Sequence, residues 1–173
     1  MTQYSRRMVI VHWLTLALLV AAWFLGEELD EARHEAGATI ASYVVHALVG
    51  GAVLLFTLAR LYFRGRDDVP PPIGESLMDK VAKGVHYGLY AALVVLPVSG
   101  VMTVVNSDVG KALMSGDAAL LPKKFSGVPA HDAHEMLVTA MIVLMAVHVL
   151  GALKHQFISK DGLMQRMSLR RKG

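Results

Sequence analysis

Four long apolar segments, separated by polar gaps, constrain this 173-residue chain more than any other feature. A helix needs about 20 mostly apolar residues to cross the hydrocarbon of a bilayer, at about 1.5 Å rise per residue. Hydrophobic residues make up 54% of the chain, which is more than a soluble domain of this size can bury. The sequence therefore predicts an all-α fold, a bundle of four transmembrane helices with short loops in a single domain over residues 1–173. The predicted helices cover about residues 8–26, 39–62, 81–105 and 133–157.

The chain contains no cysteine. This composition excludes disulfides, thiolate metal sites, iron–sulfur clusters and covalent haem attachment through cysteine. The first apolar segment has no small-residue cleavage site and ends in an acidic cluster, so we expect no cleavable signal peptide.

The distribution of Lys and Arg predicts the orientation in the membrane. Cytoplasmic loops carry an excess of these residues, and 13 of the 17 fall on the side that holds both termini and the second gap, which contains Pro70, Pro71 and Pro72. We therefore expect cytoplasmic termini, with the other side facing the periplasm of a bacterium as a multi-pass inner-membrane protein. The residues on the basic side are Arg6, Arg7, Arg60, Arg64, Arg66, Lys80, Lys83, Lys154, Lys160, Arg166, Arg170, Arg171 and Lys172.

Several of the eight histidines fall at membrane depth, where ionisable residues are rare and usually functional. His134 and His148 are fourteen residues apart on the fourth helix. At about 100° per residue, this spacing places both rings on one face, about 21 Å apart along the axis. His46 on the second helix matches the outer depth, and His12 on the first matches the inner depth. His86 on the third helix also reaches the inner depth, so it is an alternative to His12.

A haem iron accepts one imidazole on each side, and the apolar porphyrin suits the interior of a membrane bundle. The matched depths therefore predict two haem b groups, each held by two histidines, which move electrons because the iron keeps no open position. Glycines near these histidines, at Gly50, Gly51 and Gly151, would let a flat macrocycle approach the backbone. Cations at the inner depth would bind the haem carboxylates, and the candidates are Arg6, Arg60 and Lys154.

Five sequence features resemble the bacterial cytochrome b561 family, which is related to the cytochrome b subunits of nickel–iron hydrogenases and formate dehydrogenases. They are the opening YSRRMVIVHW, His46 early in the second helix, the third-helix segment HYGLYAALVVLPVSG, the spacing of His134-Glu135 and His148 in the fourth helix, and the closing HQFISKDGLMQRM. The resemblance covers essentially the whole chain. It implies a four-helix, di-haem protein of the inner membrane with ligands from the first, second and fourth helices. The implied ligands are His12, His46, His134 and His148, which leaves His86 outside the set.

The resemblance also implies electron exchange between a periplasmic donor, either a small molecule or a protein, and the ubiquinone pool. Some members of the family are superoxide oxidases. Lys123 and Lys124 in the long outer loop are candidates for attracting a small anion. His86 and His155 are candidates for handling a quinone proton or a haem carboxylate at the inner side. Besides the lipid bilayer and quinone, a second copy of the chain is a possible partner, and no nucleic acid is expected.

Two other functions are compatible with the apolar segments and their histidines. The chain would be a membrane anchor that accepts electrons from a docked hydrogenase or dehydrogenase, in which case an iron–sulfur subunit should co-purify. Alternatively, the same four histidines would line the pathway of a haem-free transporter. Against the transporter, acidic residues such as Asp132 and Glu135 lie at the outer mouth rather than in mid-membrane.

Overall fold

The computed structural model describes residues 3–35, 37–71, 74 and 76–170. Pro72, Arg171 and Lys172, which contribute to the predictions above, lie outside the described residues. Throughout the described ranges, the chain consists of helices joined by turns and irregular segments, without a β-strand.

Five α-helices follow one another in the part of the chain that the structure describes. Four of them are long and apolar enough to cross a membrane, with the last span extending from Pro129 to Ser159. This confirms the predicted all-α fold with four membrane-spanning helices. The elements are α1 (Arg6–His34), α2 (Ile40–Arg66), α3 (Leu77–Val105), α4 (Asp108–Ser115) and α5 (Pro129–Lys154), followed by a π-helical turn (His155–Ser159) and a 3₁₀ turn (Leu163–Met167).

Helix α1 extends well beyond the predicted limit of residue 26. Its 29 residues correspond to about 43 Å, whereas the hydrocarbon core is about 30 Å thick. The added turns contain Glu, Leu and Ala, which favour helix in water as well as in lipid. An apolar segment marks where a helix enters the hydrocarbon, and the helix itself continues until its backbone is capped or broken.

Helix α4 was not predicted. It has only eight residues, with Ser107 accepting a hydrogen bond from the backbone of Val109 at its start and Gly116 in the left-handed conformation at its end. Val109 and Ala112 on one face are fully buried. The helix is therefore a short amphipathic element that packs beside the end of α3. It is too short to be predicted from the length of an apolar segment.

The four long helices form two tightly packed pairs, α1 with α2 and α3 with α5, which also meet through α2 and α3. Val53 from α2, Ala92 and Leu93 from α3, and Met141 from α5 form the buried core between the pairs. The two pairs therefore face each other across an interface that runs along the bundle.

Both ends of the described chain meet at one end of the bundle, which we call the inner end; the opposite end is the outer end. The backbone N–H of Tyr4 donates to the carbonyl of Arg166 at 3.1 Å, and the indole of Trp13 donates to the carbonyl of Met167 at 3.0 Å. Arg166 in turn donates to the carbonyl of Pro71, at 2.6 Å. These bonds place the start of α1, the α2–α3 connection and the segment after α5 together.

Asp67, just after α2, connects the end of that helix to the start of α1 at the inner end. Its carboxylate accepts hydrogen bonds from Arg7 and from the hydroxyl of Ser5. The bonds from Arg7 and Ser5 lower the pKa of Asp67 to about 2, because they favour the ionised carboxylate.

Candidate functional site

Two pairs of histidine rings face each other across the interface between the helix pairs. At the outer level, the ring centroids of His46 on α2 and His134 on α5 are 6.3 Å apart. At the inner level, the centroids of His12 on α1 and His148 on α5 are also 6.3 Å apart. The structure therefore brings together the two cross-helix pairs that the sequence spacing predicts.

The ring spacing matches two imidazoles bound to opposite sides of one metal ion. A metal–nitrogen bond of about 2.0–2.1 Å, with the nitrogen about 1.1 Å from its ring centroid, gives a centroid separation of about 6.3 Å. The rings of His86 and His148 are 5.0 Å apart, which is too close for that arrangement. The geometry thus favours His12 over His86 as the partner of His148.

The outer cavity, between His46 and His134, has a volume of about 160 Å³. Apart from the two histidines, its lining consists of apolar and aromatic side chains with Gly50, and it includes Trp23, Pro97 and Met141. Such a wall suits a flat, apolar ligand that two nitrogen atoms hold from either side.

Helix α3 fixes the ring of His134. Nδ1 of His134 lies 2.9 Å from the hydroxyl oxygen of Ser99 and 3.1 Å from the carbonyl oxygen of Leu96, while Ser99 donates its own hydrogen to the same carbonyl at 2.7 Å. Nδ1 therefore carries the proton and donates it, which leaves the lone pair of Nε2 available. A metal-binding histidine usually has this arrangement, with its second nitrogen held by an acceptor.

Two glycines make room for the outer rings. A Cβ atom at Gly26 would lie 3.2 Å from Cε1 of His46, and one at Gly100 would lie 3.2 Å from Cε1 of His134. The glycines predicted from the sequence are instead Gly50, Gly51 and Gly151, where a Cβ would meet no described atom within 4 Å beyond the neighbouring backbone of its own helix. Of these three, Gly50 lines the outer cavity. The roles of Gly26 and Gly100 depend on contacts between helices, for which the sequence gives no spacing rule.

The Nδ1 atom of His46 is buried and, within the part of the chain that the structure describes, has no hydrogen-bond partner. An unsatisfied buried polar atom is costly. The backbone of Ala22 on α1 interacts with this imidazole, and an Nδ1–H directed to it would leave Nε2 free for a bound group.

The inner cavity is smaller, at about 70 Å³, and more polar than the outer one. His12, His86 and His148 line it together with Arg60, Thr15 and Tyr90. A terminal guanidinium nitrogen of Arg60 lies 2.5 Å from Nδ1 of His12, and the guanidinium carbon lies 5.5 Å from the Tyr90 ring centroid. Arg60 thus contacts a predicted ligand directly, whereas Arg6 and Lys154 have exposed side chains and line neither cavity.

The two candidates for proton handling lie apart. His86 lines the inner cavity, and its Nδ1 donates to the carbonyl of Ala82 at 2.7 Å. His155 begins the π-helical turn, and its Nδ1 lies 2.5 Å from a carboxylate oxygen of Asp161. The hydrogen bond with His155 lowers the pKa of Asp161. An imidazole–carboxylate pair at the inner end therefore lies outside the cavity that His86 lines.

At the outer end, Lys123 and Lys124 are exposed in the connection between α4 and α5. Arg33 holds this connection, a role that was not predicted from the sequence. Its buried guanidinium pairs with Asp30, donates to the carbonyl of Lys123 at 2.8 Å, and lies 5.0 Å from the ring centroid of Phe125. Arg33 thus anchors the loop that presents the two lysines.

The sequence profile of prokaryotic cytochrome b561 matches residues 3–168. The chain belongs to the prokaryotic cytochrome b561 family. This confirms the resemblance found in the sequence, and the family implies haem b as cofactor.

Three curated relatives span nearly the whole cytochrome. Cytochrome b562 of Cereibacter sphaeroides is 30% identical over 168 residues, covering 95% of this chain and 94% of that protein. Cytochrome b561 homolog 1 of Escherichia coli K12 is 27% identical over 179 residues, covering 99% and 100%. The probable superoxide oxidase CybB of Yersinia pestis is 25% identical over 179 residues, covering 99% and 98%.

The family and the four apolar helices together define the class of this protein. It is a multi-pass cytochrome of the bacterial inner membrane that takes part in electron transfer. The two ring pairs are the places where the described residues have the geometry to hold the cofactor that this family implies.

Proposed function

We propose that this b561-family cytochrome holds two haem b groups and passes single electrons between a donor at its outer end and ubiquinone at its inner end. His46 and His134 would hold the outer haem, and His12 and His148 the inner one. The observation that carries the proposal is the equal ring spacing of 6.3 Å at two levels of the bundle. When bound between two imidazoles, haem iron accepts and releases one electron without binding oxygen.

The chain's own residues do three things for such a cofactor. The rings of α5 face those of α1 and α2, so that the packing of four helices sets the distance between ligands. Ser99 and Leu96 hold the ring of His134 in the tautomer that leaves Nε2 free. Leu19, Met141 and Met145 line both cavities, so a shared apolar wall adjoins the two sites and keeps water away from them.

His155 and Asp161 are well placed to manage protons at the inner end. Reduction of a quinone to quinol consumes two electrons and two protons, and the protons must come from the aqueous side. A partly exposed imidazole beside a carboxylate, with 2.5 Å between the bonded atoms, can pass a proton from water to a bound acceptor. We propose that His155 takes this role, with His86 as a further polar group that lines the inner cavity.

Superoxide is our candidate for the outer donor. The support comes from the Yersinia pestis relative, which is named a probable superoxide oxidase, and from the exposed Lys123 and Lys124, which would attract a small anion. Two superoxide ions would each lose one electron and become dioxygen, while one ubiquinone gains both electrons and two protons. The atoms and charges of this exchange balance without any further reactant.

The proposal is tested by stopped-flow reduction of the purified, oxidised cytochrome. We expect superoxide to reduce the haems within the mixing experiment and ubiquinone to reoxidise them. Reduction by ubiquinol alone, with no reaction with superoxide above its spontaneous dismutation, would contradict superoxide as the donor. An iron–sulfur subunit that co-purifies and reduces the haems would favour the anchor function instead.

Two matched substitutions examine the outer lysines. Lys123→Gln with Lys124→Gln should lower the rate of reduction by superoxide and weaken its dependence on salt, because steering of an anion is screened by ions. Lys111→Gln is the control at the same end, since Lys111 pairs with Asp108 at 2.7 Å. An equal fall in the rate of reduction by superoxide in both variants would mean that Lys123 and Lys124 do not attract the anion specifically.

His155→Gln tests the proton step. We expect slower reoxidation by ubiquinone, while reduction by the outer donor and both haem potentials stay unchanged. His34→Gln, an exposed histidine at the outer end, should leave both half-reactions unchanged. A normal rate of reoxidation in His155→Gln would remove His155 from the mechanism.

A further inference from the structure

The Met141 side chain lies midway between the two ring pairs. Met141 on α5 is seven residues after His134 and seven residues before His148. Seven residues make about two helical turns and about 10 Å of rise, so Met141 shares a helix face with both rings and lies halfway between them. Its side chain is 3% exposed, and it lines both the outer and the inner cavity.

The same spacing places one apolar side chain of each other long helix at this height. Seven residues separate His12 from Leu19, His46 from Val53 and His86 from Leu93. Val53, Leu93 and Met141 belong to one buried cluster, and Leu19 packs against it. These four side chains, which we call the middle layer, therefore fill the interior of the bundle between its outer and inner sites.

The helix segments between the two levels lack side chains that exchange protons readily. Residues 13–25, 47–59, 91–98 and 136–147, all of which the structure describes, contain no Asp, Glu, His, Lys, Arg or Tyr. The buried hydroxyls of Thr15 and Thr57 donate to carbonyls of their own helices, those of Val11 and Val53, at 2.7 and 2.8 Å. Both threonines lie about one turn from the middle layer, on its inner side.

We propose that the middle layer is a proton barrier, so that an electron crosses between the two sites without a proton and turnover charges the membrane. An electron can tunnel through packed apolar side chains. A proton moves only along groups that hydrogen-bond to one another, each about 3 Å from the next. The inference rests on the proposed di-haem function and adds the charge that it moves: two electrons cross inward for each ubiquinone reduced, and both protons come from the inner side.

The first test measures proton entry into sealed phosphatidylcholine vesicles that hold the haem-loaded cytochrome and a pH-sensitive dye. Valinomycin with a potassium gradient makes the interior negative and drives protons inward. The wild type should admit protons no faster than vesicles without protein. Met141→Glu places a carboxyl group in the middle layer with little change of volume. It should raise the rate of proton entry about tenfold, because carboxyl groups inside a membrane relay protons.

Two control variants separate the position from the chemistry. Met141→Leu keeps the layer apolar and should admit protons at the wild-type rate. Val143→Glu introduces the same carboxyl group near the same depth, at a side chain that is 57% exposed on the outside of the bundle, and should also leave the rate unchanged.

Three results of this test would overturn the barrier. The first is wild-type proton entry above the rate in vesicles without protein. The second is an equal rate in Met141→Glu and Met141→Leu when both variants carry two haems per chain. The third is an equal acceleration in Val143→Glu and Met141→Glu.

The second test measures the moved charge and needs no variant. Superoxide made outside the vesicles by xanthine oxidase should reduce ubiquinone in the membrane and make the interior negative. A potential-sensitive dye measures this potential, which valinomycin in potassium medium should abolish. Ubiquinol formation without a potential would overturn the barrier. Failure of the proposed function is distinct, because then no ubiquinol forms, while the proton-entry test still decides whether the middle layer is a barrier.

Discussion

The outer and inner sites have the same ring spacing and opposite surroundings. In both, α5 supplies one ring and a helix of the other pair supplies the second, 6.3 Å away. Beyond the rings, the outer site is apolar and its His134 donates to α3, whereas the inner site is polar and its His12 accepts from Arg60. Ligand spacing thus comes from the regular repeat of one helix, while the character of each site comes from its neighbours.

The largest difference between the two sites should appear when one histidine ligand is removed at a time. His46→Ala should lower the haem content from about two to about one per chain and remove the outer spectrum, because one imidazole cannot replace two. His12→Ala should do the same for the inner spectrum. His86→Ala is the control and should keep both haems; pyridine haemochrome analysis measures all three. Loss of both haems from a folded single variant would contradict two independent sites.

Gly100→Ala should disturb the outer site alone. The added Cβ would lie 3.2 Å from Cε1 of His134, and such overpacking typically costs about 1 kcal/mol or more, which corresponds to about a fivefold weaker outer haem. Gly84→Ala on the same helix is the control, since its Cβ would meet no described atom within 4 Å beyond the neighbouring backbone of α3. The rate at which an added haem-binding protein removes each haem measures how tightly each site holds it. Equal loss from both sites would show that the contact is not specific to His134.

Ser99→Ala should change the outer haem's reduction potential without removing the haem. The hydroxyl helps to accept the Nδ1 proton of His134, so its loss makes the ring a poorer electron donor and raises the potential. Because Leu96 still accepts, the shift should be on the order of 20–60 mV, equivalent to one neutral hydrogen bond. A spectroelectrochemical titration measures it, with the unchanged inner haem as the internal reference. A lowered outer potential would contradict the assigned direction of the hydrogen bond.

Lowering the pH should release the inner haem before the outer one, and this is the smallest of the expected effects. The bonds from Arg7 and Ser5 hold the pKa of Asp67 at about 2, below its usual value of about 3.9. Their stabilisation is therefore complete above about pH 4 and is lost as the pH falls towards 2. Asp67→Asn should remove this part of the acid sensitivity of inner-haem release. If acid released the outer haem first in the wild type, the assignment of Asp67 to the inner end's stability would be wrong.

The fold and the ring pairs could be predicted because they follow from periodic patterns. Apolar length marks each span, and fourteen residues between His134 and His148 return a ring to the same helix face. The choice between His12 and His86 could not be made from spacing, since it depends on the distance between α1 and α5. The membrane orientation and the ligand roles remain predictions.

Other features depend on contacts that no repeat encodes. Gly26 and Gly100 look like any helical glycine until a ring from another helix lies against them. Arg60 looks like a surface cation near the end of a span, yet its guanidinium turns inward to His12. Helix α4 and the last turns of α1 lie outside the hydrocarbon lengths that hydropathy detects.

We propose that two imidazole pairs at two levels of the bundle each hold one haem b. The most direct test is low-temperature electron paramagnetic resonance of the oxidised cytochrome together with its haem content. We expect about two haems per chain and two low-spin signals, of which His46→Ala and His12→Ala each remove a different one. A single haem per chain, or a high-spin iron with an open position at either level, would contradict it.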